Sequence, residues 1–272
     1  MKHFIKLIKR KLQRQIVFKF IYRSLYFYEI AIFLSRYNNF FLPHEEDIYG
    51  LNYLQLDSKR DIIDVGASDG LFYKSVRSIG IKSKFICFEA LKINERHLNK
   101  IKKKDENFQF HILALGDKKN NFNIYTPFVK NHFLYNYSSF SKKECREIIS
   151  LRDFKIDLKK LKFKKSRVKQ KTLDNFKFQP ALLKIDVEGY ENKVLLGGVN
   201  TIKKYKPIIY VENNLGKTKF NTVNFFSKKL YKIGYKSYIF NFEKKKFYKY
   251  SKNNTTGRFF SNNVYFITKK HF

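Results

Sequence analysis

Three clusters of residue types in this chain are spaced so that they could do chemistry together. The first is Asp64-Val65-Gly66-Ala67-Ser68-Asp69-Gly70, which closes the short apolar run 61–65. Glycines at 66 and 70 let the backbone turn tightly and come close to a ligand. A helix beginning near Gly70 would aim free N–H groups and a positive dipole end at that ligand. The dinucleotide fingerprint G-x-G-x-x-G is absent, because Ser68 stands at its second glycine position, and no G-K-[ST] follows to make a P-loop. The second is Glu89, at the end of the apolar run 84–89, where a carboxylate can accept hydrogen bonds from the hydroxyl pair of a ribose. The third is Asp186-Val187-Glu188-Gly189-Tyr190-Glu191, with Glu212-Asn213 ending the next apolar run. An acid there can take a proton from a hydroxyl. Asp186, Glu212 and Asn213 are alternatively hard oxygen ligands that suit Mg²⁺. Glu188 and Glu191 can also serve only to cap the helix that starts near Tyr190.

The elements that must position these residues alternate. Runs 61–65, 84–89, 108–115, 181–186 and 207–212 are short, apolar and bounded by glycine or charge, and read as buried strands. Between and after them, 71–79, 94–103, 190–205 and 223–233 read as helices. Segments 235–242 and 263–268 close the set, for seven strands in all. This pattern predicts an α/β fold: a mostly parallel, doubly wound sheet covered by helices on both faces. Ligands bind such sheets beyond the carboxyl ends of the strands, the edge to which Gly66, Glu89 and Asp186 are all assigned. Within the variable stretch 120–170, an edge strand near 122–125 and a helix near 142–151 are expected. The run 155–171 holds nine basic residues and one acid, and reads as a solvated loop or helix face.

Composition bounds the function. The chain has 272 residues, 57 Lys+Arg against 23 Asp+Glu, a formal net charge of +34, and 43% hydrophobic residues. That is apolar enough to bury a sizeable core. Of the basic residues 46 are Lys and 11 Arg, alongside 23 Asn and 5 Ala. Lys, Asn, Ile, Phe and Tyr have AT-rich codons, so the charge reads as mutational bias. Base readout and phosphate forks favour Arg, which is scarce here. Two separated cysteines, Cys87 and Cys145, exclude a disulfide scaffold and a cysteine-rich zinc site. Six histidines are scattered without H-x-x-x-H spacing, and mid-strand His111 reads as structural.

The first 23 residues hold eight basic residues and no acid. Lys2, Lys6, Arg10 and Arg14 form one helical row, and Phe4, Ile8, Leu12, Ile16 and Phe20 another, about 200° away. The apolar stretch 25–34 contains Glu29 and falls short of the about 20 residues that span a bilayer. No cleavage signature follows it. Residues 1–43 are thus expected as a basic amphipathic helical extension. It either packs on the core or touches an anionic membrane from the cytoplasmic side. Residues 44–60 are expected as a linker, and 61–272 as the α/β domain, with 120–170 as a variable insertion.

Asp64 to Gly70, Phe88-Glu89, Ala114-Leu115-Gly116-Asp117, Lys171-Thr172-Leu173-Asp174, Leu183-Lys184-Ile185-Asp186-Val187-Glu188-Gly189-Tyr190-Glu191 and Val211-Glu212 occur in an order that resembles the FkbM-type methyltransferases. The sequence departs from that pattern at Ser68-Asp69 and at Ala90, but keeps both glycines and Glu89. The resemblance implies a class I Rossmann-like methyltransferase that uses S-adenosylmethionine, bound by Asp64, Gly66, Ser68, Gly70, Glu89, Ala114 and Leu115. It also implies methylation of an oxygen on a sugar, glycan or secondary metabolite, with Asp186 and Glu188 as catalytic residues. The acids after the fourth and fifth strands resemble the metal ligands of catechol-type O-methyltransferases. The competing reading is an RNA-modifying enzyme that uses the basic surface. Asp186-Val187-Glu188-Gly189 stands where an aromatic-flanked N-P-P-Y-type tetrad would mark methylation of a base amine.

Overall fold

Alternating burial on two faces organises the strands of the computed structural model, which describes residues 43, 45–129, 132–150, 157–212, 222–251 and 263–272. In chain order the strands are β1 (Asp61–Val65), β2 (Phe85–Glu89), β3 (Phe108–Ile112), β4 (Ala114–Leu115), β5 (Asn120–Val129), β6 (His132–Phe133), β7 (Lys162–Lys171), β8 (Pro180–Ile185), β9 (Ile208–Glu212), β10 (Lys236–Asn241), β11 (Lys246–Lys249) and β12 (Asn263–Ile267). The helices are α1 (Leu71–Ser78), α2 (Glu95–Lys102), α3 (Lys142–Ser150), α4 (Glu191–Leu196), α5 (Val199–Tyr205) and α6 (Thr222–Leu230). The chain divides into a larger unit, Asn39–Phe122 with Val168–Phe272, and a smaller one to which Asn123–Arg167 belong.

In the larger unit the sheet order is β11-β10-β12-β9-β8-β1-β2-β3. β3, β2, β1, β8 and β9 are parallel, and β12, β10 and β11 are antiparallel. The order reverses between β1 and β8, which opens a crevice at their carboxyl ends. Ile63, Val65, Ile86, Phe88, Leu183 and Ile185 face one core with α4, α5 and α6. Ile62, Phe85, Cys87, Leu182 and Tyr210 face the other with α1 and α2. Two buried faces are why these strands are mostly apolar, with Asp64 of β1 and Lys184 of β8 as buried charged exceptions.

The structure changes several expectations. The sheet has eight strands, not seven. β11 is the addition: its Phe247 and Tyr248 sit between exposed lysines, so the charge hid a hairpin partner of β10. The stretch expected as a linker, 44–60, contains the 3-10 helix Glu46–Tyr53. Ile48, Leu51 and Leu54 are buried at a spacing of three, the period at which a 3-10 helix lines up one face. The helix expected over 190–205 breaks in two at Gly197-Gly198. A β-carbon on Gly197 would lie 1.8 Å from the carbonyl oxygen of Gly116, so the two backbones touch there. The run 108–115 divides at Leu113 into β3 and β4. The basic run 155–171 contributes β7 rather than a loop or helix face. The smaller unit has its own core of Val129, Leu134, Tyr137, Ile149 and Leu161. The basic extension 1–43 lies outside the described residues apart from Pro43. Among the described residues no helix is long and apolar enough to cross a membrane.

His271 closes the turn that follows β12. It is buried, and its Nδ1 accepts the Thr268 N–H at 3.0 Å. Burial, assisted by Lys270, pulls its pKa from 6.5 down to about 4. The unfolded chain therefore binds the proton first, and stability is lost as pH falls from about 6.5 toward 4. The loss is on the order of 2–3 kcal/mol. Urea denaturation at pH 7 and pH 4 should show the stability gap between wild type and His271→Gln narrowing by that amount. Parallel curves for the two proteins would refute the assignment.

Candidate active site

The turn after β1 and the end of β8 are built against each other. Gly66 has φ +85° and Gly70 φ +82°, and Ser68 also lies in the left-handed region at φ 49°. The N–H groups of Gly66 and Ala67 both donate to the carbonyl of Phe88, at 2.9 and 3.1 Å. A β-carbon at Gly66 would lie 1.8 Å from the Asp186 carbonyl oxygen, and the Asp186 N–H donates to the Val65 carbonyl at 3.0 Å. Glycine is required at 66 by conformation and by contact together. At Gly70 a β-carbon would meet Ile101 of α2 at 2.4 Å, so this residue seats α1 on α2.

Glu89 ties that turn to the end of β2. Its carboxylate accepts the Ser68 N–H and the Leu91 N–H, each at 2.7 Å. It is buried, and burial raises its pKa against the pull of these amides. Each carboxylate oxygen has two acceptor sites, so a group so oriented retains capacity for a ligand diol. The other residues assigned to the cofactor fall as follows. Ala114 is half-buried, and the Leu115 side chain belongs to the core, which leaves its backbone as the contact surface. Asp64 has no exposed surface, and its Oδ1 lies 3.1 Å from Lys184 Nζ. From there it supports the turn from beneath.

Lys184 is the residue that the spacing argument passed over. β1 and β8 pair with Asp64 opposite Lys184, and β9 adds Tyr210 opposite Lys184. The Lys184 ammonium lies 3.1 Å from Asp64 Oδ1 and 3.3 Å from Asp186 Oδ2, and donates to the Gly66 carbonyl at 3.2 Å. Burial works against this charge. The two carboxylates outweigh it, and the pKa of Lys184 is raised. The signal was present in the sequence: a lysine inside an otherwise apolar buried strand.

Asp186 is partly exposed, with 36% of its side chain accessible. Glu188 is exposed and takes φ 52°, followed by Gly189 at φ 102°. Glu191 shapes this loop from within: it is 1% exposed and accepts the N–H groups of Val187 and Gly189 at 3.1 and 3.0 Å. Carboxylate oxygens of Asp186, Glu188 and Glu212 lie within 4.8 Å of one another, a donor set of hard oxygens. Asn213 lies outside the described residues. Glu45 and Asp47, from the stretch expected as a linker, reach the same edge. Asn263 donates to both, at 2.7 and 3.0 Å, and Tyr210 donates to Asp47 at 2.7 Å. Burial first, and then Asp186, raise the pKa of Glu45. His111 stacks on Phe88, with centroids 5.0 Å apart, and burial lowers its pKa, as befits a histidine at the edge of a core.

A doubly wound sheet with a glycine turn after β1, a carboxylate ending β2 and an acidic loop after β8 defines a class I Rossmann-like methyltransferase. The chain belongs to the FkbM methyltransferase family: the model described as Methyltransferase FkbM domain matches residues 64–256. Three solved structures are similar. A methyltransferase FkbM from Methylobacillus flagellatus KT is 14% identical with a TM-score of 0.49, and the match covers 79% of this chain and 45% of that one. The precorrin-6y C5,15-methyltransferase from Geobacter metallireducens GS-15 is 12% identical with a TM-score of 0.36, covering 80% and 82%. The Methanococcus jannaschii fibrillarin pre-rRNA processing protein is 11% identical with a TM-score of 0.34, covering 78% and 68%. The chain thus spans less than half the length of the first of these. No curated protein matches the sequence.

The family implies S-adenosylmethionine, and the residues present fit it. Glu89 is a buried carboxylate fixed by two amides beside the Gly66–Gly70 turn, the acceptor that the hydroxyls of a ribose diol require. Calorimetry should show saturable S-adenosylmethionine binding by wild type. Glu89→Ala should weaken it by about 1.5–3 kcal/mol, the cost of losing a charged hydrogen-bond partner. Unchanged affinity in the variant would remove Glu89 from the cofactor site.

Proposed function

We propose that the protein transfers a methyl group from S-adenosylmethionine to a hydroxyl oxygen on a sugar, a glycan or a secondary metabolite. The observation that carries this reading is Asp186. It follows β8 directly, with Oδ2 committed to Lys184, and it is partly open. The cofactor supplies an electrophilic methyl carbon. The protein must align the acceptor with that carbon, which lowers much of the barrier, and must remove the hydroxyl proton. Asp186 Oδ1 accepts that proton. Glu188, exposed on the same loop, helps to orient the acceptor. The mutual closeness of Asp186, Glu188 and Glu212 supports one variant of the reading, in which these three carboxylates would hold Mg²⁺ and the ion would supply Lewis acidity. The basic rows within residues 1–43 support contact with an anionic membrane.

The test supplies methyl-labelled S-adenosylmethionine with separated glycan, small-molecule and RNA fractions of the source cells. Label should enter the glycan or small-molecule fraction; label in RNA would overturn the proposed acceptor. Asp186→Asn should keep cofactor affinity near wild type and slow transfer by about 10²–10⁴. Full transfer by this variant would remove Asp186 from the chemistry. Inhibition by a chelator, reversed by Mg²⁺, would support the metal variant, and indifference the metal-free base.

A further inference from the structure

Lys184 sits in an environment that ordinarily excludes a lysine. It is 6% exposed, on a central strand, with the ring of Phe72 centred 5.5 Å from its Nζ. Taking an ammonium out of water costs several kcal/mol, and only close opposite charges and good hydrogen bonds offset that. An ammonium has three N–H donors and no acceptor. Here three oxygens surround it: Asp64 Oδ1, Asp186 Oδ2 and the Gly66 carbonyl, at 3.1, 3.3 and 3.2 Å. With two carboxylates and a carbonyl around it and little of its surface exposed, the ammonium faces the protein and not an acceptor. Its three partners differ in kind. Asp64 is wholly buried, Gly66 belongs to the glycine turn, and Asp186 is the partly exposed one.

We propose that Lys184 is a positioning residue for methyl transfer: its buried ammonium pins Asp186 through Oδ2 and ties that carboxylate to the turn at Gly66. The inference rests on the reading of Asp186 as the proton acceptor. A carboxylate with one oxygen anchored presents the other in a fixed direction. Alignment of the acceptor hydroxyl then shares a frame with the turn assigned to the cofactor. Asp64, wholly buried, pairs with the ammonium across β1 and β8.

The test is a double-mutant cycle on transfer rate at saturating S-adenosylmethionine, using the fraction that wild-type protein labels and counting active molecules by bound cofactor. Lys184→Met should slow transfer by at least about 100-fold. The double variant Lys184→Met with Asp186→Asn should be no more than about threefold slower than Asp186→Asn alone, because the lysine acts through the aspartate. Effects that multiply would overturn the inference, as would a Lys184→Met protein that transfers at the wild-type rate. Full transfer by Asp186→Asn would instead remove the reading on which the inference rests. Removing the lysine orphans the buried Asp64 charge, so the cycle is repeated on an Asp64→Asn background, where that charge is gone. If Lys184→Met on that background still binds no cofactor, the ammonium serves the fold, and the inference is overturned.

Discussion

One buried ammonium between two carboxylates holds the centre of this molecule together. Lys184 lies where β1 and β8 meet, at the reversal of strand order, and contacts Asp64, Asp186 and the Gly66 carbonyl. Replacing such a group by a hydrocarbon of similar volume is often neutral for stability, whereas removing one partner alone is strongly destabilising. A fold that needed only burial would have kept an apolar residue at 184, like Leu182 and Ile185 on the same strand. What the ion triad adds is geometry. It fixes a carboxylate at the rim against a carbonyl in the turn, across two strands far apart in sequence.

That geometry makes the rest of the site a single block. The carbonyl of Asp186 occupies the space that a side chain at Gly66 would need, and the Asp186 N–H continues the β1–β8 ladder onto Val65. Glu89 binds the same turn from the other side through Ser68. Glu191 shapes the loop that carries Asp186 and Glu188 through two backbone amides. Glu89 and Glu191 each spend hydrogen-bonding capacity on backbone N–H groups that no ladder satisfies, as buried donors require. The site is therefore held by acids in two roles. Glu191 is inside and shapes, while Asp186, Glu188 and Glu212 stand at the rim, and Glu89 shares both roles.

The parallel core was legible in the sequence because both faces of its strands are buried, so β1, β2, β8 and β9 read as short, mostly apolar runs despite Asp64 and Lys184. The glycine turn and Glu89 were legible because turn chemistry and strand ends are local. Three things were not. β11 is four residues long, and its two aromatics are flanked by exposed lysines, so its apolar run is too short to announce a strand. The segment Glu46–Tyr53 repeats its apolar residues every third position, a period that matches neither the helix nor the strand template, so Ile48 and Leu51 passed for linker residues. The break at Gly197-Gly198 depends on a contact with Gly116, more than eighty positions earlier, and no local pattern encodes such a contact. The role of Lys184 was hidden for a different reason. Its partner across the sheet is set by register, and register appears only once the strands are paired.

Burial separates the two signs of charge in this chain far more sharply than composition does. Against 57 basic and 23 acidic residues, the buried Asp, Glu, Lys and Arg positions among the described residues are Asp47, Asp64, Asp69, Glu89 and Glu191 on one side and Lys184 alone on the other. An exposed lysine costs almost nothing and contributes little to stability. A drift toward AT-rich codons can therefore load the surface with lysine without touching the core. Acids had no such drift to multiply them, and several of the few present are spent on backbone amides or on Lys184, where burial makes them expensive to keep unpaired. The net charge of +34 thus describes the solvent layer. The chemistry of the site follows from the minority charge, and from the one lysine that was drawn inside to meet it.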